Sequence, residues 1–402
     1  MHRSYLQLLA LLLTFFLFGT SALAEKRYGP GVSDTEIKIG QTMPYSGAAS
    51  VYGQIGRAEL AYFEMINAKG GINGRKIRLI SRDDGYLPPK TVEQVRKLVE
   101  RDQVLLMFGS VGTATNVAVR KYLNDRKVPH LFVGGGDAVW GDYQNYPWTM
   151  GWGGSYQMEG RLYAEHILAN RPNAKIGILS INDDYGRDLV KGFKDGLGTR
   201  AASMVVSELT YDFSAPTVDS QIISLKSSGA DTFFGAAFGK HASQAYRKMY
   251  DIDWRPRTYV GVAAASPEGI LKPAGLHTAK GFITAYYAKS PEFPAIRNDP
   301  AMQDYFAWAK KWYPAGNVED GIFTYGYQVA QAMEYVLRAA GDDLTRENIM
   351  RIATSMDKVE IPMLYPGITA NTSPTDYFPL EQFQMFEFNG ENWLPFGTVV
   401  GK

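Results

Sequence analysis

Cysteine is absent from this sequence. Its absence removes disulfides, thiol catalysis and cysteine-ligated zinc together, so a chain of 402 residues must be held by its core. Net charge is nearly absent too, with 42 Lys and Arg against 41 Asp and Glu. A balance of +1 gives no basic field for nucleic acid or an anionic membrane surface. Histidine is scarce, and His130, His166, His241 and His277 are scattered with no pair at metal-ligand spacing. No P-loop, dinucleotide fingerprint or nucleophile elbow occurs, nor any low-complexity segment or short-period repeat. Asp83-Asp84-Gly85 and Asn182-Asp183-Asp184 lack the twelve-residue calcium-loop spacing and read as turns and caps. No catalytic residue, metal or cofactor is expected.

Long hydrophobic runs are confined to one place. His2 and Arg3 precede an apolar stretch over residues 8–18, and Ala22-Leu23-Ala24 supplies the small residues that signal peptidase accepts. The stretch is short of the roughly twenty residues a membrane-spanning helix needs. Residues 1–24 are therefore expected to be a cleaved signal peptide, leaving a mature chain that starts at Glu25, lies outside the cytoplasm and does not insert in the membrane.

The remaining composition is that of an ordinary globular protein, 45% hydrophobic and 21% charged, and the length suggests two lobes. Strand and helix patterns alternate. A strand at 37–41 leads to a helix with Ala58, Ala61, Tyr62, Met65 and Ile66 on one face, ended by Gly70-Gly71. Strands at 76–80, 104–108 and 131–133 follow, separated by helices that start at Pro88 and Thr113. A second series repeats this order, with strands at 176–179, 204–209, 232–234 and 258–260 and helices between them. After Gly281 come a strand at 282–285, a Pro-rich loop, helices at 302–312, 321–340 and 346–355, and a strand at 383–388 before the hairpin signal Asn389-Gly390. Such alternation implies α/β lobes, each a doubly wound parallel sheet with ligands at the C-terminal strand ends.

The stretch 104–116 is the candidate ligand site. An apolar strand meets a helix start through Gly109 and Gly112, and unpaired N–H groups with the helix dipole there favour an anion. Thr113 and Thr115 add hydroxyl donors beside Ser110. The same residues suit a plain helix cap, so this stretch alone leaves both readings open.

Several landmarks together resemble the type I periplasmic binding proteins, in their Leu/Ile/Val-binding branch of ABC-importer receptors. They are Ile37-Lys38-Ile39-Gly40, Pro44-Tyr45-Ser46-Gly47, Tyr52-Gly53, the run from Ile66 to Arg75, Asp83-Asp84, residues 109–113, Tyr185-Gly186 and Tyr211-Asp212-Phe213-Ser214. The resemblance implies two doubly wound parallel-sheet lobes joined by three hinge crossings, near Trp152, Ala285 and Tyr377. One lobe would comprise 34–152 plus 286–376, the other 153–285 plus 377–402. Carried over by position, Thr113 receives a ligand carboxylate and Gly135, Gly136 and Asp137 line the next strand end. Tyr52 and Tyr185 cover the ligand from the two lobes, while Phe238 and Tyr325 complete aromatic walls. Asp137 stands where a threonine is common, and Ala263 stands where amino-acid binders place a carboxylate for the ammonium. That leaves Asp137 as the nearby acid, with a turn cap as its alternative role. The implied function is a monomeric receptor that captures a small carboxylate-bearing solute, a hydrophobic amino acid ahead of an aromatic acid, and delivers it to a membrane permease. A secreted hydrolase of small amides or esters and a sensor for a chemoreceptor or kinase are the competing classes.

Overall fold

The computed structural model describes residues 26–401, so the expected signal peptide lies outside the described residues. Five parallel strands form the first sheet: β1 (Glu36–Met43), β2 (Lys76–Asp83), β3 (Leu106–Phe108), β4 (His130–Val133) and β5 (Thr149–Gly151). Their order is β2-β1-β3-β4-β5. The second sheet begins with β6 (Ile176–Ile181), β7 (Val205–Tyr211), β8 (Thr232–Ala236), β9 (Arg257–Val260) and β10 (Ile283–Tyr286), ordered β7-β6-β8-β9-β10. The two sheets therefore share one winding. Antiparallel strands β11 (Gln382–Phe388) and β12 (Trp393–Gly401) extend the second sheet beyond β10.

Burial explains the strand choices. Every residue of β3, β4, β6 and β8 is buried, as expected of parallel strands covered on both faces. β7, at the sheet edge, alternates exposed and half-buried positions until Tyr211. β5 does not show in the sequence pattern, and β12 shows only through the hairpin signal Asn389-Gly390 that precedes it. β5 is three residues long within an aromatic and glycine-rich segment, and β12 is an exposed edge strand that tolerates Pro395. The acidic turns after β2 and β6 have local partners. Asp84 accepts the Tyr86 N–H at 3.0 Å and the Thr91 hydroxyl at 2.8 Å, and Asp183 accepts the Gly186 N–H at 3.0 Å at a helix start.

In each sheet the winding reverses between the first strand and its neighbour, β1 beside β3 and β6 beside β8. A crevice opens outside the strand ends at such a switch point. The helix α1 (Gly53–Ala68) leaves the β1 end, and the helix Gly321–Ala340, called α2 here, packs across it. Their approach is close enough that a Cβ on Gly326 would lie 2.4 Å from the Ile55 carbonyl oxygen. The late part of the chain thus returns to cover the first sheet.

Three passages join the lobes. One runs over 152–155 after β5, one begins at Tyr287 after β10, and one over 378–381 enters β11. The first and third pair in parallel at Gly154 and Leu380, and the second pairs antiparallel with Leu364 through Ala288. Gly136, at the end of β4, sits so tightly on the first passage that a Cβ would lie 1.7 Å from the Gly154 carbonyl oxygen. Because that obstacle is backbone, Gly136→Ala is expected to destabilise the fold by at least about 1 to 3 kcal/mol. Urea denaturation of the variant against the parent measures this; an unchanged midpoint would mean the passage yields freely.

Candidate functional site

Where the C-terminal strand ends of the two sheets face each other, Tyr52 crosses the gap. It lies just before α1, and its hydroxyl donates to the Ala263 carbonyl at 2.8 Å and accepts the Gly239 N–H at 3.1 Å. Its ring stacks on Phe238 at 4.2 Å between centroids. Tyr86, from the turn after β2, adds ring contacts with Phe213 at 4.7 Å and Phe238 at 5.2 Å. The Ala138 N–H donates to Asp188, and Ser266 donates to Asp320 at 2.8 Å, so polar contacts tie the lobes as well.

Behind Tyr52 lies a cavity of about 120 Å³. This is near the size of an engineered cavity that accepts benzene, so one ring or a branched aliphatic group fills it. The rings of Tyr52, Tyr156, Phe238, Tyr286, Tyr287 and Tyr325 line it, together with Ile55, Val111, Val262 and Ile322. Gly134, Gly135 and Gly321 bring bare backbone to the surface. Its polar part is a band of Ser266, Lys289, Ser290 and Glu292. The Tyr325 hydroxyl donates to the Trp152 carbonyl at 3.0 Å, which ties the wall to the first passage.

Carboxyl groups in and around this wall are displaced from their ordinary behaviour. Burial, then Asp320 beside it, pushes Glu292 well above the usual range. Burial also raises Asp320 and lifts Asp137 well above its ordinary value. Glu159, on the helix Tyr156–Asn170, accepts the Val262 N–H at 2.7 Å and the Tyr163 hydroxyl at 2.7 Å. Burial pushes its carboxyl up to about 7, and through Val262 it positions part of the cavity wall. Among the described residues, no group of three or more His, Asp or Glu is placed to hold a metal ion.

A family model described as periplasmic binding protein matches residues 36–390. The chain belongs to the periplasmic binding protein family. It has the type I fold of that family, and Leu/Ile/Val-binding protein homologues are among its relatives. Leu/Ile/Val-binding protein homolog 7 of Brucella abortus (strain 2308) is 24% identical over 302 residues, covering 73% of this chain and 74% of that protein. A branched chain amino acid ABC transporter structure from Thermus thermophilus with bound valine superposes with a TM-score of 0.81. Its identity is 16%, and the match covers 92% of this chain and 98% of the other. A solute binding protein of an ABC transporter from Rhodopseudomonas palustris BisB5, in complex with 3,4-dihydroxy benzoic acid, gives 0.76 at 18% identity and covers 92% and 98%.

Of the residues singled out from the sequence, Tyr52, Gly135, Phe238, Ala263 and Tyr325 line the cavity. The others stand behind it. Thr113 donates its hydroxyl to the buried Asp137 carboxylate, so a side chain of the protein already occupies the donor expected for a ligand. Thr115 donates to the Gly112 carbonyl at 2.9 Å within the strand-to-helix turn, and Ser110 accepts the Thr42 N–H at 3.1 Å from the neighbouring strand β1. Gly136 is taken up by the close approach to Gly154. Tyr185 supports the wall from beneath, edge-on to Tyr156 at 4.8 Å between centroids. Sequence reasoning missed Tyr156, Ser266, Tyr286, Tyr287, Lys289, Ser290 and Glu292. The one signal was an aromatic pair at a strand end near an expected hinge, Tyr286-Tyr287.

Tyr52→Phe removes the two polar links that the Tyr52 hydroxyl makes across the cleft and leaves a buried carbonyl and N–H without partners, a loss of about 1 to 3 kcal/mol from the closed arrangement. Small-angle scattering of the ligand-free variant is expected to show a larger radius of gyration than the parent, while the lobes keep their circular dichroism. An unchanged radius would mean that ring stacking and the Ser266–Asp320 and Ala138–Asp188 links hold the cleft closed without the Tyr52 hydroxyl.

Glu159 gives a pH prediction with a definite sign. Its folded value near 7 lies above the ordinary 4.5, so the folded protein holds the proton more tightly than the unfolded chain. The associated stability is full below the unfolded value and is lost as pH rises through about 7, amounting to about 3 kcal/mol. Glu159→Gln keeps the carbonyl acceptor and removes the titration. The stability difference between parent and variant is expected to shift by that amount between pH 4.5 and 8 in urea titrations, and a constant difference would contradict the assignment.

Proposed function

We propose that this protein is the extracytoplasmic receptor of an ABC importer, closing its lobes on a hydrophobic amino acid and presenting it to a membrane permease. The observation that carries this reading is the small cavity between the lobes, walled by rings from both and bridged by Tyr52. A ligand touching both lobes favours their closure, which is what a carrier needs to signal that it is loaded. Residues 1–24, read as a signal peptide, support a periplasmic location. The lobe limits of 34–152 plus 286–376 and 153–285 plus 377–402 go with this proposal.

The amino-acid assignment draws on the Leu/Ile/Val-binding relatives and on the apolar wall. A second reading, an aromatic acid, is favoured by a volume that matches one ring and by the six aromatic side chains around it. A ligand carboxylate reaching the Thr113 helix start would compete with Asp137 for that hydroxyl. Hydrolysis is disfavoured: the serines of the wall have no histidine beside them among the lining residues, and Ser266 donates to Asp320.

A thermal-shift screen of amino acids beside benzoate- and cinnamate-type acids tests the proposal. A ligand at one hundred times its Kd is expected to add about 2.7 kcal/mol of stability. Mass spectrometry after incubation with the best ligand is expected to return it unchanged. Steady turnover by the pure protein would replace the receptor reading with an enzymatic one.

A further inference from the structure

The polar band of the cavity is unevenly satisfied. Asp320, which caps α2, is 1% exposed and accepts the Ser266 hydroxyl at 2.8 Å, the Ile322 N–H at 2.9 Å and the Gln54 amide at 3.2 Å. Glu292, from the segment after the second passage, is 6% exposed and lines the cavity. One of its carboxylate oxygens accepts the Gly321 N–H at 3.0 Å and lies 3.4 Å from the Ser266 hydroxyl, whose single proton is directed to Asp320. The other, Oε2, is buried without a well-formed hydrogen bond, although the Tyr286 and Ser290 hydroxyls lie beside the carboxyl group. A buried carboxylate oxygen without a well-formed hydrogen bond is costly, and the fold supplies one to every other oxygen of this pair.

The wall offers no cation of its own to Glu292. Lys289 is paired with Asp299 at 2.7 Å, and no arginine is among the lining residues. The remaining wall mixes aliphatic residues and glycines with the rings of five tyrosines and Phe238, and such ring faces attract a desolvated cation. Asp137 also has a buried oxygen without a partner, but it is held by Thr113 and is not part of the wall.

We infer that Glu292 receives a positively charged amine of the ligand, with the Gly321 N–H fixing the carboxylate and the tyrosine rings covering the cation. The ammonium partner of an amino-acid or amine ligand then comes from the segment after the second passage, at neither Ala263 nor Asp137. This inference rests on the receptor reading and narrows its ligand class to amines.

The test uses the mature chain and compounds matched except for the amine. Calorimetry compares leucine with 4-methylpentanoate and phenylalanine with 3-phenylpropanoate, and adds isopentylamine and 2-phenylethylamine. The amine-bearing members are expected to bind at least tenfold more tightly than their amine-free partners, since a charge-assisted bond is gained and a lone carboxylate is relieved. Glu292→Gln is expected to weaken the amine-bearing ligand at least tenfold, Glu292→Asp to restore part of the loss, and Asp137→Asn to leave it within a few-fold. The comparison within the parent protein needs no variant, so it stands even if Glu292→Gln folds poorly. Equal or tighter binding of the amine-free acids overturns the inference and leaves the receptor reading intact, as does undiminished amine binding by folded Glu292→Gln. No response to any of the six compounds overturns the small-solute reading and the inference with it.

Discussion

One tyrosine hydroxyl holds the arrangement together. Tyr52 satisfies a carbonyl and an N–H of the opposite lobe with a single group, while its ring covers Phe238. Those backbone atoms belong to the turns after β8 and β9, where a parallel sheet runs out of neighbouring strand to pair with. A buried strand end must find partners elsewhere, and here it finds one across the cleft. Closure of the lobes and enclosure of the cavity rest on that contact together with the Ser266–Asp320 and Ala138–Asp188 links and the Tyr86 rings.

The cleft concentrates buried acids. Glu159, Glu292, Asp320 and Asp137 all titrate above their ordinary range, and for each the largest cause is removal from water. Burying such groups lowers stability unless each is paired, and the chain has no disulfide to offset the cost. The acids are also unequal: Asp320 has donors on both oxygens, whereas Asp137, Glu159 and Glu292 each keep one oxygen without a well-formed hydrogen bond. Perturbed acids gather where ligands bind more often than elsewhere, and here three of the four flank or line one cavity.

The candidate site was legible at the level of strand ends and no finer. Tyr52, Gly135, Phe238, Ala263 and Tyr325 were named through the family resemblance, whose positions could be carried over because each follows a recognisable strand or lies at a helix start. Thr113 sits at the helix start its pattern announces, yet its hydroxyl is directed to Asp137, 24 residues away, because β3 and β4 are neighbours. Glu292 was illegible, since its burial depends on Ser266, Gly321 and Trp393, which come from three remote segments that converge only in the folded molecule.

What the sequence by itself determined is the alternation of buried strands and amphipathic helices, and hence two doubly wound sheets, because period and apolar runs are local properties. The turn chemistry of Asp84 and Asp183 was local in the same way. Only the tertiary structure decided which strand ends face each other, that β11 and β12 extend the second sheet, and which side chains reach the cavity. Those outcomes depend on contacts across hundreds of residues, such as Tyr52 with Ala263, whose geometry no local pattern encodes.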